Sequence, residues 1–535
     1  MLPNLPVPLS VSWVSLPGVP WSAVERRARG VATGPVVASG APDGLVLQGL
    51  VTDSRAVTPG CVFACVRGGR SDGHRFAAAA VAAGAAALLV DRPVDVDVPQ
   101  LLVPSVRAQL GPLGALLAGD PADRLRLVGV TGSNGKTTTS TLVRGVLQAA
   151  GECAGVVTTL GARVGDQQRS TRLTTPEAPE LHGLLAWMLD AGATSAVVEA
   201  SSIALDVGRV DGVHVAVAVF TGFEEDHLDH HGTIEQYWAS KARLFTPERT
   251  GSAVIVVDEP WGRRLADQAR VPVTRVSATD DPAADVRVVS WRTGAGGTNL
   301  VLEDADGRHW LSSPLVGRVH VGNLAAAWAT GRAMGVPAQT VAAGLATTSP
   351  PAGRNTLLRA AAGPLVVVDY AHTPRALAAA VQTARELTGP GGRVHLVLGA
   401  RGRRDRYKRQ GLGVSARAAD TVWLTNEGSH GERPEAIVEE LRVGLLGGTA
   451  EVRTVLDRRA AITAAVQAAG DADVVLVVGR GHETTMTDDG APVDFDDASV
   501  ARQVLDTRSA RTSPPNVVAG LNEVAAVELL ADRAS

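Results

Sequence analysis

Leu127-Val-Gly-Val-Thr-Gly-Ser-Asn-Gly-Lys-Thr-Thr-Thr139 constrains this chain more than any other stretch. A short apolar run ends in Gly132, Gly135 and Lys136, and Leu142, Val143, Val146 and Leu147 then recur at helical spacing, which reads as strand, glycine turn and helix. Such a turn cradles phosphate. Glycines let backbone N–H groups close on phosphate oxygens, the helix start adds partial positive charge, Lys136 reaches the terminal phosphates, and the Thr137 hydroxyl can ligate Mg²⁺. The strict P-loop spacing would place its first glycine at Val130, so the match is the shorter core Gly132-Ser-Asn-Gly135-Lys136-Thr137. A glycine-rich turn with a purely structural role is the alternative.

Basic residues give a second pointer. Of 51 Lys and Arg, only Lys136, Lys241 and Lys408 are lysine, which leaves 48 arginines. An ammonium is a compact point charge that can lose its proton or be modified, whereas a guanidinium cannot. Arginine-favouring composition therefore keeps lysine mainly where chemistry requires it, and the three lysines mark candidate sites.

With 535 residues the chain has room for three to four domains. A net charge of −4 and an aromatic content of 3% argue against nucleic-acid binding, because no aromatic platforms accompany the arginine cluster Arg401 to Arg406. Three cysteines without paired spacing suggest a reducing compartment. The N-terminus lacks a signal-peptide pattern and no apolar run is long enough to span a bilayer, so a cytoplasmic protein with no membrane association is expected, acting as a monomer.

Along the chain, residues 1 to about 45 read as a leader, and ordered structure is expected to begin at Leu45. Strands and an alanine-rich helix up to residue 124 form a small α/β domain. From Leu125 to about residue 350, apolar strands alternate with helices, the pattern of a mostly parallel sheet that binds ligands beyond its strand carboxyl ends. Thr174, Thr175, Glu199, Ser202 and the run Glu224-Glu-Asp-His-Leu-Asp-His-His231 fall there. Glu199 and His227 are plausible Mg²⁺ ligands, His227, His230 and His231 could suggest zinc, and a solvated loop is the plain alternative. The Pro-Pro-Ala-Gly stretch before Arg354 reads as a joint. A last α/β domain, residues 351–506, has four strands that end in polar groups, and residues 507–535 form a tail with a short amphipathic segment from Leu521 to Leu530.

As an ordered set these motifs resemble the Mur ligase family. The carriers are Asp53-Ser-Arg, Asp72-Gly-His, Thr131-Gly-Ser-Asn-Gly-Lys-Thr-Thr, Thr174-Thr-Pro, Glu199-Ala-Ser-Ser, Asp226-His-Leu-Asp, Lys241-Ala-Arg-Leu-Phe, Asp369-Tyr-Ala-His-Thr-Pro and Gly481-His-Glu. The resemblance implies three domains: one for a UDP-linked substrate, a central P-loop type ATPase, and a Rossmann-like C-terminal domain for the amino acid. It also implies a reaction. A substrate carboxylate attacks the γ-phosphate of ATP, and the acyl phosphate is captured by an amine. Lys136, Glu199, His227 and Lys241 would be the catalytic set. Thr137, Glu199, His227 and Lys241, the last as a carbamate, would hold Mg²⁺. Gly132, Asn134, Gly135, Lys136, Thr137, Thr138, Asn323, Arg354 and Asp369 would bind ATP, while Ser54, Thr174, Thr175, Ser202 and Arg209 would meet a UDP-sugar peptide or related carboxylate. Gly479, Glu483 and His430 would face the amino acid.

Departures from the family concentrate on recognition. Members that add meso-diaminopimelate carry Asp-Asn-Pro-Arg where this chain has Glu427-Gly-Ser-His430, and Ile203 and Glu225 replace a family histidine and arginine. A different amine or acyl acceptor is therefore expected. A peptidoglycan ligase, a related amide ligase recruited to another pathway, and a non-catalytic nucleotide-binding scaffold stay open.

Overall fold

The computed structural model describes residues 18–512 apart from 70, 489 and 490. The amphipathic segment expected from Leu521 to Leu530 lies outside the described residues. Three sheets follow one another along the chain, each mainly parallel and each packed by helices.

The N-terminal sheet has five strands in the order Val37–Ser39, Gln100–Leu102, Ala87–Val90, Cys61–Ala64 and Gly49–Val51. Ordered structure starts earlier than expected, because Trp21–Val31 is a helix. Its Pro20, Gly18 and Gly30 mask the pattern in the sequence, yet Trp21, Val24 and Ala28 are spaced to share one face and are buried against Leu47, Leu50 and Leu110.

The central sheet has eleven strands. Arg126–Thr131 lies between Ser195–Glu199 and Val215–Phe220, both parallel to it. Side chains that alternate along Arg126–Thr131 serve two cores: Leu127 joins one and Val128 and Val130 the other, as expected for a strand covered on both faces. The sheet is less purely parallel than the sequence suggests. Gly161–Val164 and Gln167–Arg169 extend one edge as an antiparallel hairpin, and Gly297–Asp304 and Gly307–Ser313 extend the other antiparallel to Val286–Gly294. These meanders are half exposed and so lack the continuous apolar runs that mark buried parallel strands. Trp328, on the helix Val319–Ala333, is fully buried in this core, and its indole N–H donates to Asp304 at 3.0 Å.

The C-terminal sheet orders its strands Thr356–Leu358, Leu365–Val368, Val474–Val477, Val394–Leu398, Thr421–Leu424 and Glu451–Thr454, all parallel except the first. All four strands anticipated here are present, and their polar carboxyl ends point to one edge. The terminal helix Asp497–Thr512 continues past residue 506. Arg458, fully buried behind this sheet, is held by a two-pronged contact to Asp497 at 2.7 and 2.8 Å.

Candidate active site

The phosphate loop leaves the strand Arg126–Thr131 and enters the helix Lys136–Ala149 through two glycines with φ of 151° and 83°. A Cβ at Gly132 would lie 2.0 Å from the Thr221 hydroxyl, and one at Gly135 would lie 2.3 Å from Asn323 Oδ1, so both conformation and space demand glycine. Thr221 closes the loop from the neighbouring strand. Its hydroxyl donates to Asn134 O at 2.5 Å. Neither Thr221 nor this brace was foreseen, although a threonine followed by glycine at a strand end is the visible signal.

Two lysines turn toward the loop backbone. Lys136 Nζ donates to Gly132 O at 3.0 Å and to Ser133 O at 2.9 Å, and Lys241 Nζ donates to Gly132 O at 2.8 Å. Lys241 comes from the helix Ile234–Ala242 and is buried, with its ammonium over the Tyr237 ring at 4.4 Å. Burial, reinforced by the charge of Lys136, pushes the Lys241 amine well below the usual lysine range. Burial lowers Lys136 as well.

Glu199 ends the strand beside the loop, with Val130 as its register partner. It is completely buried, and neither carboxylate oxygen has a hydrogen-bond partner among the described residues. Burial raises its pKa, against the opposing pull of Lys136. An orphaned buried carboxylate of this kind is what a cation site provides before its cation binds. His227 stands in the left-handed region at φ 53°, and its N–H is held by Asp226 Oδ1 at 2.7 Å. Burial drops its pKa to about 3, so the ring is neutral and free to ligate a metal. The Glu199 carboxylate and the Thr137 hydroxyl are oxygen donors of the kind Mg²⁺ takes, and His227 falls in a separate group with Asp226 and Asp405 whose donor atoms lie within 4.8 Å of one another. The three-histidine alternative is not supported: both ring nitrogens of His231 meet hydroxyls, of Ser202 at 3.1 Å and Ser240 at 3.3 Å, while His230 pairs with Asp206 at 3.1 Å.

A cavity of about 470 Å³ opens from this loop toward the C-terminal sheet. Of the residues expected from sequence, Asn134, Gly135, Lys136, Thr137, Thr174, Glu199, Arg209, His227, Arg354, Gly479 and Glu483 line its wall. Others stand behind it. Thr138 is buried in the first turn of the helix, Asn323 buttresses Gly135, and Thr175 donates to Glu199 O at 2.7 Å. Ser202 supports His231, and Asp369 accepts the Asn355 and Ala371 N–H groups at 2.8 Å each, a turn-holding role. Ser54 lies in a turn whose cap Asp53 pairs with Arg172, a residue of the wall, at 3.6 Å. His430 faces an adjoining groove with Arg401, Arg403 and Arg404.

On the C-terminal side the wall carries Arg401, Glu427, Gly479 and Glu483. Arg401 grips Glu483 at 2.5 Å. Glu427 is buried with its carboxylate against Gly479, and burial raises its pKa. Arg354 joins the two halves, reaching the Thr137 hydroxyl at 3.3 Å while its guanidinium covers the Tyr370 ring. Two sheets thus converge on one cleft, with a phosphate cradle on one side and paired charges on the other.

That arrangement lets a nucleotide held by the loop face a second substrate held against the charged wall of the other domain. Profiles described as "Mur ligase family, catalytic domain", "Mur ligase middle domain" and "Mur ligase, glutamate ligase domain" match residues 46–112, 130–331 and 353–481. A Streptomyces coelicolor protein described as UDP-N-acetylmuramoyl-L-alanyl-D-glutamate–2,6-diaminopimelate ligase is 39% identical over 477 residues, covering 87% of this chain and 94% of its own length. A Xylella fastidiosa protein of the same description is 40% identical over 478 residues, covering 87% and 95%. A solved structure of a ligase with that description superposes with a TM-score of 0.63 at 28% identity, over 92% of this chain and 99% of the other. The MurF of Acinetobacter baumannii shares the fold, with a TM-score of 0.65 at 19% identity over 87% and 96%. The chain belongs to the Mur ligase family.

Proposed function

We propose that this protein is the ATP-dependent ligase that joins diaminopimelate to the carboxylate of UDP-N-acetylmuramoyl-L-alanyl-D-glutamate, releasing ADP and phosphate. The observation that carries the reading is the orphaned Glu199 carboxylate beside Lys136, at the mouth of a phosphate loop that faces a second, charge-lined domain. The relatives supply the names of the substrates.

The chemistry follows from the residues. The loop N–H groups and the start of the helix Lys136–Ala149 would hold the ATP phosphates, with Lys136, here bonded to Gly132 O and Ser133 O, as the cation beside them. Thr137, Glu199 and His227 would hold Mg²⁺, with Lys241 as a carbamate completing the set, and bound Mg²⁺ would neutralise the anions that must meet. Arg209, held at 3.0 Å by Glu177, and Arg172 face the cavity from the central domain, where a carboxylate substrate approaches. The acid attacks the γ-phosphorus, the bond to the ADP oxygen breaks, and the amine then displaces phosphate from the acyl carbon. Holding the two reactants on facing domains contributes up to about 7–11 kcal/mol by removing the entropy of encounter.

Diaminopimelate carries two ammonium and two carboxylate groups. The C-terminal wall carries charges of both signs, among them the carboxylates of Glu427 and Glu483 and the guanidiniums of Arg401 and Arg404, and so suits a zwitterionic amine. The substrate named for the relatives supports diaminopimelate over the expectation of a different amine, without the Asp-Asn-Pro-Arg sequence. The alignment to nearly the whole length of the relatives favours the cell-wall reaction over a recruited ligase, and retention of the cation site argues against a scaffold. Phosphate release with the UDP-dipeptide and diaminopimelate, set beside lysine and ornithine, tests the reading. Release with another amine, and none with diaminopimelate, would overturn it.

A further inference from the structure

The chain's third lysine is not consumed by the phosphate site, yet it lies against it. Lys408 begins the helix Lys408–Ala416 of the C-terminal domain and is 5% exposed, so its ammonium has left water almost completely. Two carboxylates receive it. One is Asp405, three residues earlier at 3.2 Å; the other is Asp226 of the central domain, in direct contact across the domain boundary. Asp226 is itself 3% exposed, and the same Oδ1 that meets Lys408 accepts the His227 N–H at 2.7 Å. His372, also from the C-terminal domain, approaches the other oxygen at 3.7 Å.

Most of the other charged links between these domains are of a different kind. Arg375 pairs with Glu259 while 65% of its side chain is exposed, and Glu224 accepts from Thr373 and from the Arg375 N–H at 2.9 and 3.1 Å in a half-buried setting. An exposed pair contributes little and tolerates sliding. A buried pair is different: separating Lys408 from Asp226 takes a nearly water-free carboxylate away from its ammonium and leaves Lys408 with Asp405 alone, so the contact favours one register of the two domains. The ammonium serves here as a compact point charge shared between Asp226 and Asp405.

We infer that Lys408 is a positioning residue: it seats the C-terminal domain on the central one by docking on Asp226, and through Asp226 it sets the backbone turn that presents His227. The inference rests on the ligase reaction proposed above only for its kinetic arm. Lys408 touches no reacting atom in this role; it fixes where the amine-bearing wall stands relative to the phosphate loop.

The test pairs kinetics with a distance that needs no substrate. Lys408→Met alone strands the buried Asp226 charge, so it is accompanied by the neutral pair Lys408→Met with Asp226→Asn, which removes both charges at once. Spin labels on the central and C-terminal domains report their separation. For the neutral pair the expected result is a cooperatively folded protein with a broadened inter-domain distance distribution. Its KM for diaminopimelate rises by about tenfold or more, and, because Asp226 also holds the turn that presents His227, the Mg²⁺ concentration for half-maximal rate rises with it. Lys408→Cys alkylated with bromoethylamine, which rebuilds an ammonium at nearly the same reach, is expected to recover most of the lost kcat/KM and the narrow distribution; alkylated parent protein controls for Cys153. A neutral pair with the parent's distance distribution and the parent's amine KM overturns the inference. If the parent chain shows no ligation, the function reading fails while the distance arm still decides the role of Lys408.

Discussion

Lys136 and Lys241 donate to the same carbonyl oxygen, that of Gly132, at 3.0 and 2.8 Å. Two ammonium groups on one oxygen repel each other, and burial adds to the cost of charging either, so the pair favours a neutral amine at the more buried Lys241. A neutral amine can add CO₂ to become a carbamate; a guanidinium cannot. Lys241→Arg is therefore expected to lower kcat by at least about 10²–10³-fold, the loss typical of removing one electrostatic stabiliser. Lys241→Ala should recover part of its rate with a short carboxylate in the buffer. Near-normal turnover by the arginine variant would remove the carbamate from the mechanism.

The same lysine predicts a pH dependence. Its folded-state pKa lies below its unfolded one, so between the two values the unfolded chain binds an extra proton, and for the unmodified protein stability rises with pH through that window. Carbamate formation from the neutral amine releases a proton. At a fixed partial pressure of CO₂, activity is then expected to climb as pH rises from acid, and CO₂-stripped enzyme is expected to be slow until CO₂ returns. Indifference of the rate to CO₂ across that range would contradict the assignment.

Glu199→Gln keeps the shape of the strand end and removes its charge. A neutral amide in that fully buried place should bind Mg²⁺ weakly, so kcat is expected to fall by about 10²-fold or more, with the thermal midpoint held or raised because an unpaired buried charge is gone. Titration of the rate with Mg²⁺ checks it, a large rise in the half-saturating concentration being the expected sign.

Gly353 sits in the joint between the central and C-terminal sheets at φ 68°, and a Cβ there would lie 2.1 Å from the His482 backbone nitrogen. Gly353→Ala combines left-handed strain of about 1 kcal/mol with a backbone collision, so the segment must move. Since Arg354 follows immediately and reaches Thr137, the expected outcome is a rise in KM for ATP with a modest loss of stability, read by steady-state kinetics and a melting curve.

Trp328→Ala empties the heart of the central core and leaves Asp304 without its indole donor. A cost of about 3–5 kcal/mol is expected, measured by denaturant unfolding. Trp328→Phe should cost less, since most of the volume remains.

The phosphate loop was legible because every part of it is local: strand, glycines, lysine and helix occupy consecutive positions, and their spacing alone makes the cradle. Strand ends such as Glu199 and the run around His227 were legible for a related reason, since a parallel sheet gathers such ends at one edge. The helix Trp21–Val31 was hidden by flanking prolines and glycines, and the antiparallel edges of the central sheet by their half-exposed strands. The braces were hidden too. Thr221 contacts a loop residue 87 positions away and Lys408 a carboxylate 182 positions away, separations at which no periodicity carries a signal.

The amino-acid sequence by itself determined the phosphate cradle, the lysines worth suspecting and the order of three α/β units, because these follow from short-range spacing and composition. Only the tertiary structure decided that Lys241 shares a carbonyl with Lys136, that Glu199 is stripped of every hydrogen-bond partner among the described residues, and that Lys408 crosses a boundary to reach Asp226. Those facts depend on which groups are removed from water together, and burial is a property of the packed molecule and not of any segment.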